Sequence, residues 1–221
     1  MKHRFYAKNK REQTKLQILI AAAAIVFVIL AIVLAWISKI YLLAAFIPFL
    51  VLSIIAPFFD VPTLKKSGKL VYRSLLFITE KPENGVLKIH GGTLFDYVFV
   101  LDRNLNGKQR NNFIIQQYIE GLLVLIEEHE NKNLDNLTLR GTSYIINERT
   151  AQRIGFNVVK SDSVQQIILV LNYFNILLSH SFAKNQLSFP KLSASKTFET
   201  KLDDLAQRKT YLNQLNSRLK K

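Results

Sequence analysis

Two uncharged stretches near the N-terminus decide the fold class, and they read ILIAAAAIVFVILAIVLAWI (residues 18–37) and IYLLAAFIPFLVLSIIAPFF (residues 40–59). Each has about 20 residues, and at about 1.5 Å per helical residue this length crosses the roughly 30 Å hydrocarbon core of a bilayer. Only Ser38 and Lys39 separate them. The sequence therefore predicts a transmembrane hairpin of two helices within residues 16–60.

Two alternatives to the hairpin fit the sequence less well. A buried helical pair in a soluble protein would need a large core, because both stretches are apolar on every side, whereas 221 residues leave room for one modest domain. A cleaved signal peptide would have a shorter polar leader, and a second apolar stretch would not follow it at once. Both comparisons favour the hairpin.

The basic residues that flank the hairpin predict its orientation. Residues 1–15 carry six Lys or Arg against Glu12, residues 60–73 carry four against Asp60, and the turn between the helices carries Lys39 alone. Because positively charged flanks stay on the cytoplasmic side of a membrane, both termini and the main domain are predicted to be cytoplasmic. The richness in Lys, Asn and Ile suits a bacterial cytoplasmic (inner) membrane.

The net charge of +14 is concentrated beside the hairpin and in the C-terminal tail. Residues 74–183 carry a net charge of −1, whereas residues 184–221 carry +6. This distribution favours anionic lipid headgroups over nucleic acid, since each Lys or Arg near an anionic membrane surface contributes about 1 kcal/mol. The predicted headgroup contacts are Lys8, Lys10, Arg11, Lys15, Lys65, Lys66 and Lys69.

Residues 61–186 are predicted to form a cytoplasmic α+β domain with a short antiparallel or mixed sheet and two longer helices. Stretches rich in β-branched and aromatic residues between turn signals predict strands, and apolar residues that recur every three or four positions predict helices. The predicted strands cover residues 70–79, 86–90, 93–102, 137–146 and 156–160. The predicted helices cover residues 108–130, 148–154 and 164–182.

The last of these helices is apolar enough to suggest a third membrane span. Its uninterrupted apolar part is too short to cross a bilayer, because Gln165, Gln166, Asn172 and Asn175 interrupt or flank it. We favour a central core helix of the domain. The alternative is a helix that lies against the membrane surface.

Residues 187–221 are predicted to form a polar linker followed by an amphipathic helix that begins near Thr197. Apolar residues recur at every seventh position from Phe198, a spacing typical of coiled coils. Such a helix would pair with a second copy or another protein, and the alternative is docking on its own domain or on the membrane. The predicted partner-helix contacts are Phe198, Leu202, Leu205, Leu212, Asn216 and Leu219.

Few residues in the chain point to chemistry. There is no cysteine, and the four histidines form no metal-binding pair such as HExxH, so neither a metal nor a cofactor is predicted. One candidate site is the run His90-Gly91-Gly92-Thr93 with Asp96, where two glycines allow backbone and ligand to approach closely. The run Arg140-Gly141-Thr142-Ser143 is the second, since its cation and hydroxyls could hold an anion. An ordinary turn between strands is the simpler explanation of both.

Three functions are compatible with this organisation. The leading hypothesis is a structural or regulatory subunit of an inner-membrane protein complex, which binds partner proteins or further copies through the hairpin, the domain and the C-terminal helix. The second is a membrane-tethered enzyme that acts on a lipid-linked or phosphorylated substrate, with His90, Thr93, Asp96 and Arg140 as catalytic candidates. The third is a membrane-surface adaptor for anionic lipid. The lack of a recognised catalytic motif favours the first.

Overall fold

A helical hairpin forms the N-terminal part of the protein in its computed structural model. The structure describes residues 2–132, 137–143, 146, 148–160 and 163–220. Helix α1 covers Lys10–Ser38, α2 covers Leu42–Ile55 and α3 covers Pro57–Lys66. Helix α1 and the continuous stretch of α2 and α3 are each long and apolar enough to cross a membrane. The predicted helical hairpin is confirmed, and its second helical stretch continues to Lys66 instead of ending at residue 59.

Local sequence determines where the first helix begins and ends. The Asn9 side chain accepts a hydrogen bond from the Glu12 amide at 2.9 Å, and the Glu12 carboxylate accepts one from the Asn9 amide at 3.2 Å. At the other end, Lys39 adopts a left-handed φ of 61° that stops the helix. Ala31 and Ala35 are buried in the hairpin, whereas the large apolar side chains of α1 are mostly exposed, as expected of a lipid-facing surface.

A six-stranded mixed sheet is the centre of the domain, counted over the residues that the structure describes. The strands lie in the order β1-β2-β3-β4-β6-β5, with β3 and β4 parallel and all other neighbours antiparallel. This sheet confirms the predicted α+β fold. The strands are β1 (Leu70–Tyr72), β2 (Phe77–Glu80), β3 (Val86–Gly91), β4 (Thr138–Ser143), β5 (Asn157–Val159) and β6 (Lys196–Lys201).

The longest helix of the domain packs its apolar face into the main core. Ile114, Leu122 and Ile126 on this helix are at most 2% exposed, in agreement with the amphipathic helix predicted over residues 108–130. The helices of the domain are α4 (Leu94–Val100), α5 (Gly107–Lys132), α6 (Glu148–Arg153), α7 (Ser163–Leu171), α8 (Tyr173–Lys184), α9 (Leu202–Ala206) and α10 (Lys209–Leu219).

The strand predicted over residues 93–102 is wrong, because this segment forms helix α4. Thr93 precedes the helix, and the Asp96 carboxylate accepts hydrogen bonds from the Thr93 amide at 2.7 Å and from the Thr93 hydroxyl at 2.8 Å. This is a capping-box arrangement, which starts a helix. Aromatic residues such as Phe95 and Tyr97 gave the strand signal, but strand propensity largely reflects burial, and both side chains are buried in the helix.

Two further segments differ from the prediction. The predicted strand over residues 70–79 is interrupted, so that β1 and β2 pair with each other. The predicted helix over residues 164–182 is two helices, α7 and α8, which are bent by 68° at Asn172. A single central core helix is therefore wrong for this segment. Apolar side chains of α7 such as Ile167 and Val170 are about 60% exposed instead.

The C-terminal segment belongs to the sheet and the core of the domain. Residues 187–195 connect α8 to β6 and contain one short 3-10 turn, Leu192–Ala194. Strand β6 lies between β4 and β5, so the single helix predicted from Thr197 is wrong. The seven-residue spacing begins on strand residue Phe198 and continues through two short helices. Its regularity therefore does not reflect one continuous helical face.

Candidate functional site

The predicted catalytic residue His90 lies on β3, where its imidazole pairs with a carboxylate at the surface. Its Nε2 atom is 2.7 Å from Glu80 Oε1, and both side chains are more than one third exposed. The hydrogen bond from His90 holds the pKa of the Glu80 carboxyl below its usual value. Arg140 on β4 has a similar role, since its Nη2 lies 2.6 Å from Glu199 Oε2 on β6. Exposed pairs of this kind stabilise a fold weakly.

The other predicted catalytic residue, Asp96, is fully buried at the start of α4. In addition to the two bonds from Thr93, its Oδ1 accepts a hydrogen bond from the Tyr72 hydroxyl at 2.5 Å and lies 3.2 Å from His3 Nε2. Four donor atoms therefore surround one carboxylate. The structure joins Thr93 to Asp96 in a helix cap, and it pairs Asp96 with His3 and not with His90.

These contacts form what we call the N-terminal clasp, consisting of His3, Arg4, Tyr72, Thr93 and Asp96. Besides His3, the segment before α1 contributes Arg4, whose guanidinium donates to the backbone carbonyls of Val98 at 2.6 Å and Leu101 at 3.1 Å. The Arg4 amide also donates to Phe99 O at 3.0 Å. The clasp therefore fixes the chain that enters the membrane hairpin against helix α4.

An aromatic cluster surrounds the clasp on the hairpin side. Phe5 and Phe95 are at most 1% exposed and their ring centroids lie 5.0 Å apart. Lys65 of α3 places its Nζ 3.3 Å from the centroid of the Tyr6 ring, a cation–π contact. Burial raises the pKa of Tyr6 to about 12, and burial beside the Asp96 carboxylate also raises the pKa of Tyr72. Both phenols therefore keep their protons well above neutral pH.

The predicted headgroup contacts lie at the end of the hairpin that joins the domain. All of them except Lys65 are exposed, whereas Lys65 is half-buried on the Tyr6 ring. The exposed ones are Lys8, Lys10, Arg11, Lys15, Lys66 and Lys69.

The predicted partner-helix residues are used within the chain itself. Leu202, Leu205 and Leu212 are fully buried in the domain core, and Phe198 is 5% exposed on β6. Asn216 accepts a hydrogen bond from Gln116 of α5 at 3.0 Å, and Leu219 packs at the edge of the same core. The C-terminal segment therefore docks on its own domain, but as a strand and two short helices and not as the single amphipathic helix of the predicted alternative.

A cavity of about 550 Å³ lies between the sheet, α5 and the α7–α8 pair. Residues 90–93 of the first candidate run and residues 141–143 of the second both line it. The structure therefore brings the two glycine-containing runs together, without Asp96 and Arg140. Packing accounts for the glycines, because a Cβ on Gly91 would lie 2.1 Å from Tyr118 Oη and a Cβ on Gly141 would lie 2.6 Å from the Ile89 side chain.

Several polar residues were missed by the sequence analysis, namely Asn175 of the cavity and His3, Arg4 and Tyr72 of the clasp. Asn175 of α8 lines the cavity and is 8% exposed. Its Nδ2 donates a hydrogen bond to the backbone carbonyl of Ser53 in α2, while its Oδ1 has no hydrogen-bond partner. His3 gave no signal, because its partner Asp96 lies 93 residues away along the chain. The Thr93-x-x-Asp96 spacing was the one local pattern that could have revealed part of the clasp.

Comparison of the chain with protein-family models, with curated proteins and with solved structures finds no match.

Proposed function

We propose that this protein is a structural or regulatory subunit of a bacterial inner-membrane protein complex. The observation that carries the proposal is that the domain is fixed to the hairpin on two sides. The N-terminal clasp holds the segment before α1, and the Asn175 side chain is hydrogen-bonded to the Ser53 carbonyl inside α2. A domain held in this way presents its surface to neighbouring proteins at a fixed height above the membrane. This geometry is expected of a subunit of a membrane protein complex.

The contacts with other subunits are proposed to run through the hairpin. The C-terminal leucines that were expected to bind a partner helix are buried in the domain core. In the hairpin, by contrast, Ala22, Ala23 and Ala45 are exposed, and small residues allow a second membrane helix to approach closely. The enzyme alternative gains no support from His90, Asp96 and Arg140, since their side chains take part in separate structural contacts.

Capture of the full-length protein from native membranes in mild detergent tests this proposal. We expect protein partners or further copies in fixed stoichiometry, and we expect the double substitution Ala22→Leu and Ala23→Leu to reduce their recovery, because larger side chains keep the helices apart. Ile32→Leu, at an exposed position of the same helix with unchanged volume, is the matched control. A strictly monomeric protein that recovers no partner after cross-linking in cells would contradict the proposal.

The proposed orientation places both termini and the domain in the cytoplasm. It is supported by the exposed basic residues at the domain end of the hairpin, against Lys39 alone at the opposite end. On this side of the membrane, Lys10, Arg11, Lys66 and Lys69 would contact anionic lipid headgroups.

Because the chain has no cysteine, single cysteines can test this orientation. In intact spheroplasts, we expect a membrane-impermeant maleimide to label Ser38→Cys in the hairpin turn and to leave Asp204→Cys unlabelled until the membrane is permeabilised. Asp204 is exposed on α9, so its protection would come from the membrane and not from burial. The reverse pattern would place the domain outside the cytoplasm.

A further inference from the structure

Helix α8 contacts the membrane helix α2 well inside its apolar stretch. The ring centroids of Phe174 and Phe46 lie 6.3 Å apart, and Asn175 donates a hydrogen bond to the Ser53 carbonyl. Counted back from residue 59 at about 1.5 Å per residue, Ser53 lies about 9 Å and Phe46 about 20 Å into the apolar stretch. The start of α8 is therefore at the depth of the hydrocarbon core.

The α7–α8 pair enters and leaves this depth from the same side. It follows β5 and precedes β6, which are neighbours in one sheet. The far end of α8 returns to the domain, where Arg110 of α5 donates to the Phe182 carbonyl at 2.7 Å. The pair therefore has the geometry of a re-entrant element and not of a third complete span.

Helix α7 directs polar side chains toward the cavity and apolar side chains outward. A helix on a soluble domain is expected to show the reverse pattern. Gln165, Leu169 and the following Asn172, spaced four and three residues apart, line the cavity. Apart from Gln166, the exposed side chains described on α7 are instead large and apolar. In water such a surface is unfavourable, whereas in a bilayer it is the expected one. The exposed apolar residues are Val164, Ile167, Ile168, Val170 and Leu171.

The cavity beneath α7 extends from the membrane hairpin to the sheet. Pro57 of α3 lines one end, and Gly141 of β4 lines the other. Among the lining residues that the structure describes, none carries a permanent charge, and His90 is the one imidazole. This lining favours an uncharged ligand. The volume of about 550 Å³ falls within the roughly 300–1,000 Å³ of ligand sites.

One buried atom of a residue that lines the cavity lacks a hydrogen-bond partner, and it indicates which polar group the ligand carries. Asn175 Oδ1 is buried and accepts no hydrogen bond, while Nδ2 of the same amide is occupied by the Ser53 carbonyl. A buried acceptor without a donor is costly. A ligand hydroxyl that donates to Oδ1 would remove this cost.

We infer that the α7–α8 pair lies within the leaflet on the domain side, and that the cavity beneath it binds an uncharged membrane lipid with a free hydroxyl, of the diacylglycerol class. The lipid enters sideways from the bilayer, places one acyl chain against the apolar lining and donates its hydroxyl to Asn175 Oδ1. This inference requires that the hairpin crosses the membrane, but it does not require that the protein is part of a complex.

Spin labels on single cysteines test the position of α7 in the full-length protein in liposomes. At Ile168→Cys and Val170→Cys we expect collisions with oxygen, which dissolves in the bilayer, to exceed collisions with a water-soluble nickel chelate. Leu30→Cys in α1 is the membrane control, and Asp204→Cys on α9 is the aqueous control. Nickel accessibility at α7 equal to that at residue 204 would overturn the inference.

Photocross-linking tests the ligand. The probe is a diacylglycerol with a diazirine in one acyl chain, incorporated at a trace level into phosphatidylcholine liposomes that contain the protein. We expect cross-links at cavity residues such as Leu169 and Ile176, which unlabelled diacylglycerol abolishes by competition. The corresponding 3-O-methyl ether, which has no hydroxyl to donate, should compete about tenfold less well, the effect of one hydrogen bond to a buried acceptor.

Variants that fill the cavity provide the control for site occupancy. The single variants Ile115→Trp and Ser179→Phe should each reduce cross-linking in the cavity to the level seen at lipid-facing residues of the hairpin. The control is Phe113→Trp, which lies on the same helix α5 as Ile115 but outside this cavity. It should leave the cavity cross-links unchanged. Only variants whose melting temperature matches that of the unchanged protein are compared. Cross-links confined to the hairpin, or equal competition by the methyl ether, would overturn the inference.

Discussion

Replacing Asp96 with alanine is expected to lower the free energy of unfolding by about 3 to 5 kcal/mol, because several buried donors lose their shared acceptor and each costs about 1–3 kcal/mol. The donors are the Thr93 amide and hydroxyl, the Tyr72 hydroxyl and His3 Nε2. The substitution also removes the capping box of α4. Thermal unfolding in nanodiscs, followed by circular dichroism, measures the effect.

Hydrogen exchange shows whether the destabilised region is the clasp itself. In the Asp96→Ala protein we expect faster exchange of the Arg4 amide, which donates to Phe99 O in the intact structure. Asp96→Asn keeps one carbonyl acceptor, so its loss of stability should be smaller. Asp204→Ala removes an exposed carboxylate and should change stability by less than about 0.5 kcal/mol. An Asp96→Ala protein that melts with the unchanged protein would show that the clasp does not hold the domain.

The parts of the fold that sequence alone predicted are those with a strong local pattern. The uncharged stretches over residues 18–37 and 40–59 are each long and apolar enough to cross a bilayer. The regular apolar positions of α5 indicate one buried face. For α4 two local signals disagreed. Its aromatic residues favoured a strand, whereas the spacing of Thr93 and Asp96 favoured a helix start, and the capping box is what the structure contains.

The parts that sequence could not predict depend on contacts between distant residues. Asp96 is buried because His3 and Tyr72 reach it from segments 93 and 24 residues away. Similarly, Phe198 had a coiled-coil spacing to Leu205, but its pairing with Gly141 of β4 places it in a strand. Neither arrangement has a local signal, since both depend on how distant segments of the chain pack together.

The close contact between α5 and β2 is set by a glycine in the middle of the helix. A glycine there costs roughly 0.5–1 kcal/mol relative to alanine, so its presence calls for a packing reason. A Cβ on Gly121 would lie 2.4 Å from Cδ1 and 2.6 Å from Cβ of Phe77. Because Phe77 is only 5% exposed in the core, its ring has little room to move, and the glycine is what allows the helix to lie on the sheet.

Replacing Gly121 with leucine is therefore expected to lower the free energy of unfolding by about 3 kcal/mol, the upper part of the range for overpacking a core. Glu127→Leu, at an exposed position of the same helix, should change it by less than about 0.5 kcal/mol. Thermal unfolding in nanodiscs provides the comparison. Phe77→Ala makes space beside residue 121. The double variant of Phe77→Ala with Gly121→Leu should therefore lose less stability than the two single variants together, by at least about 1 kcal/mol. Strictly additive losses would show that the contact with Phe77 is not what requires a glycine in α5.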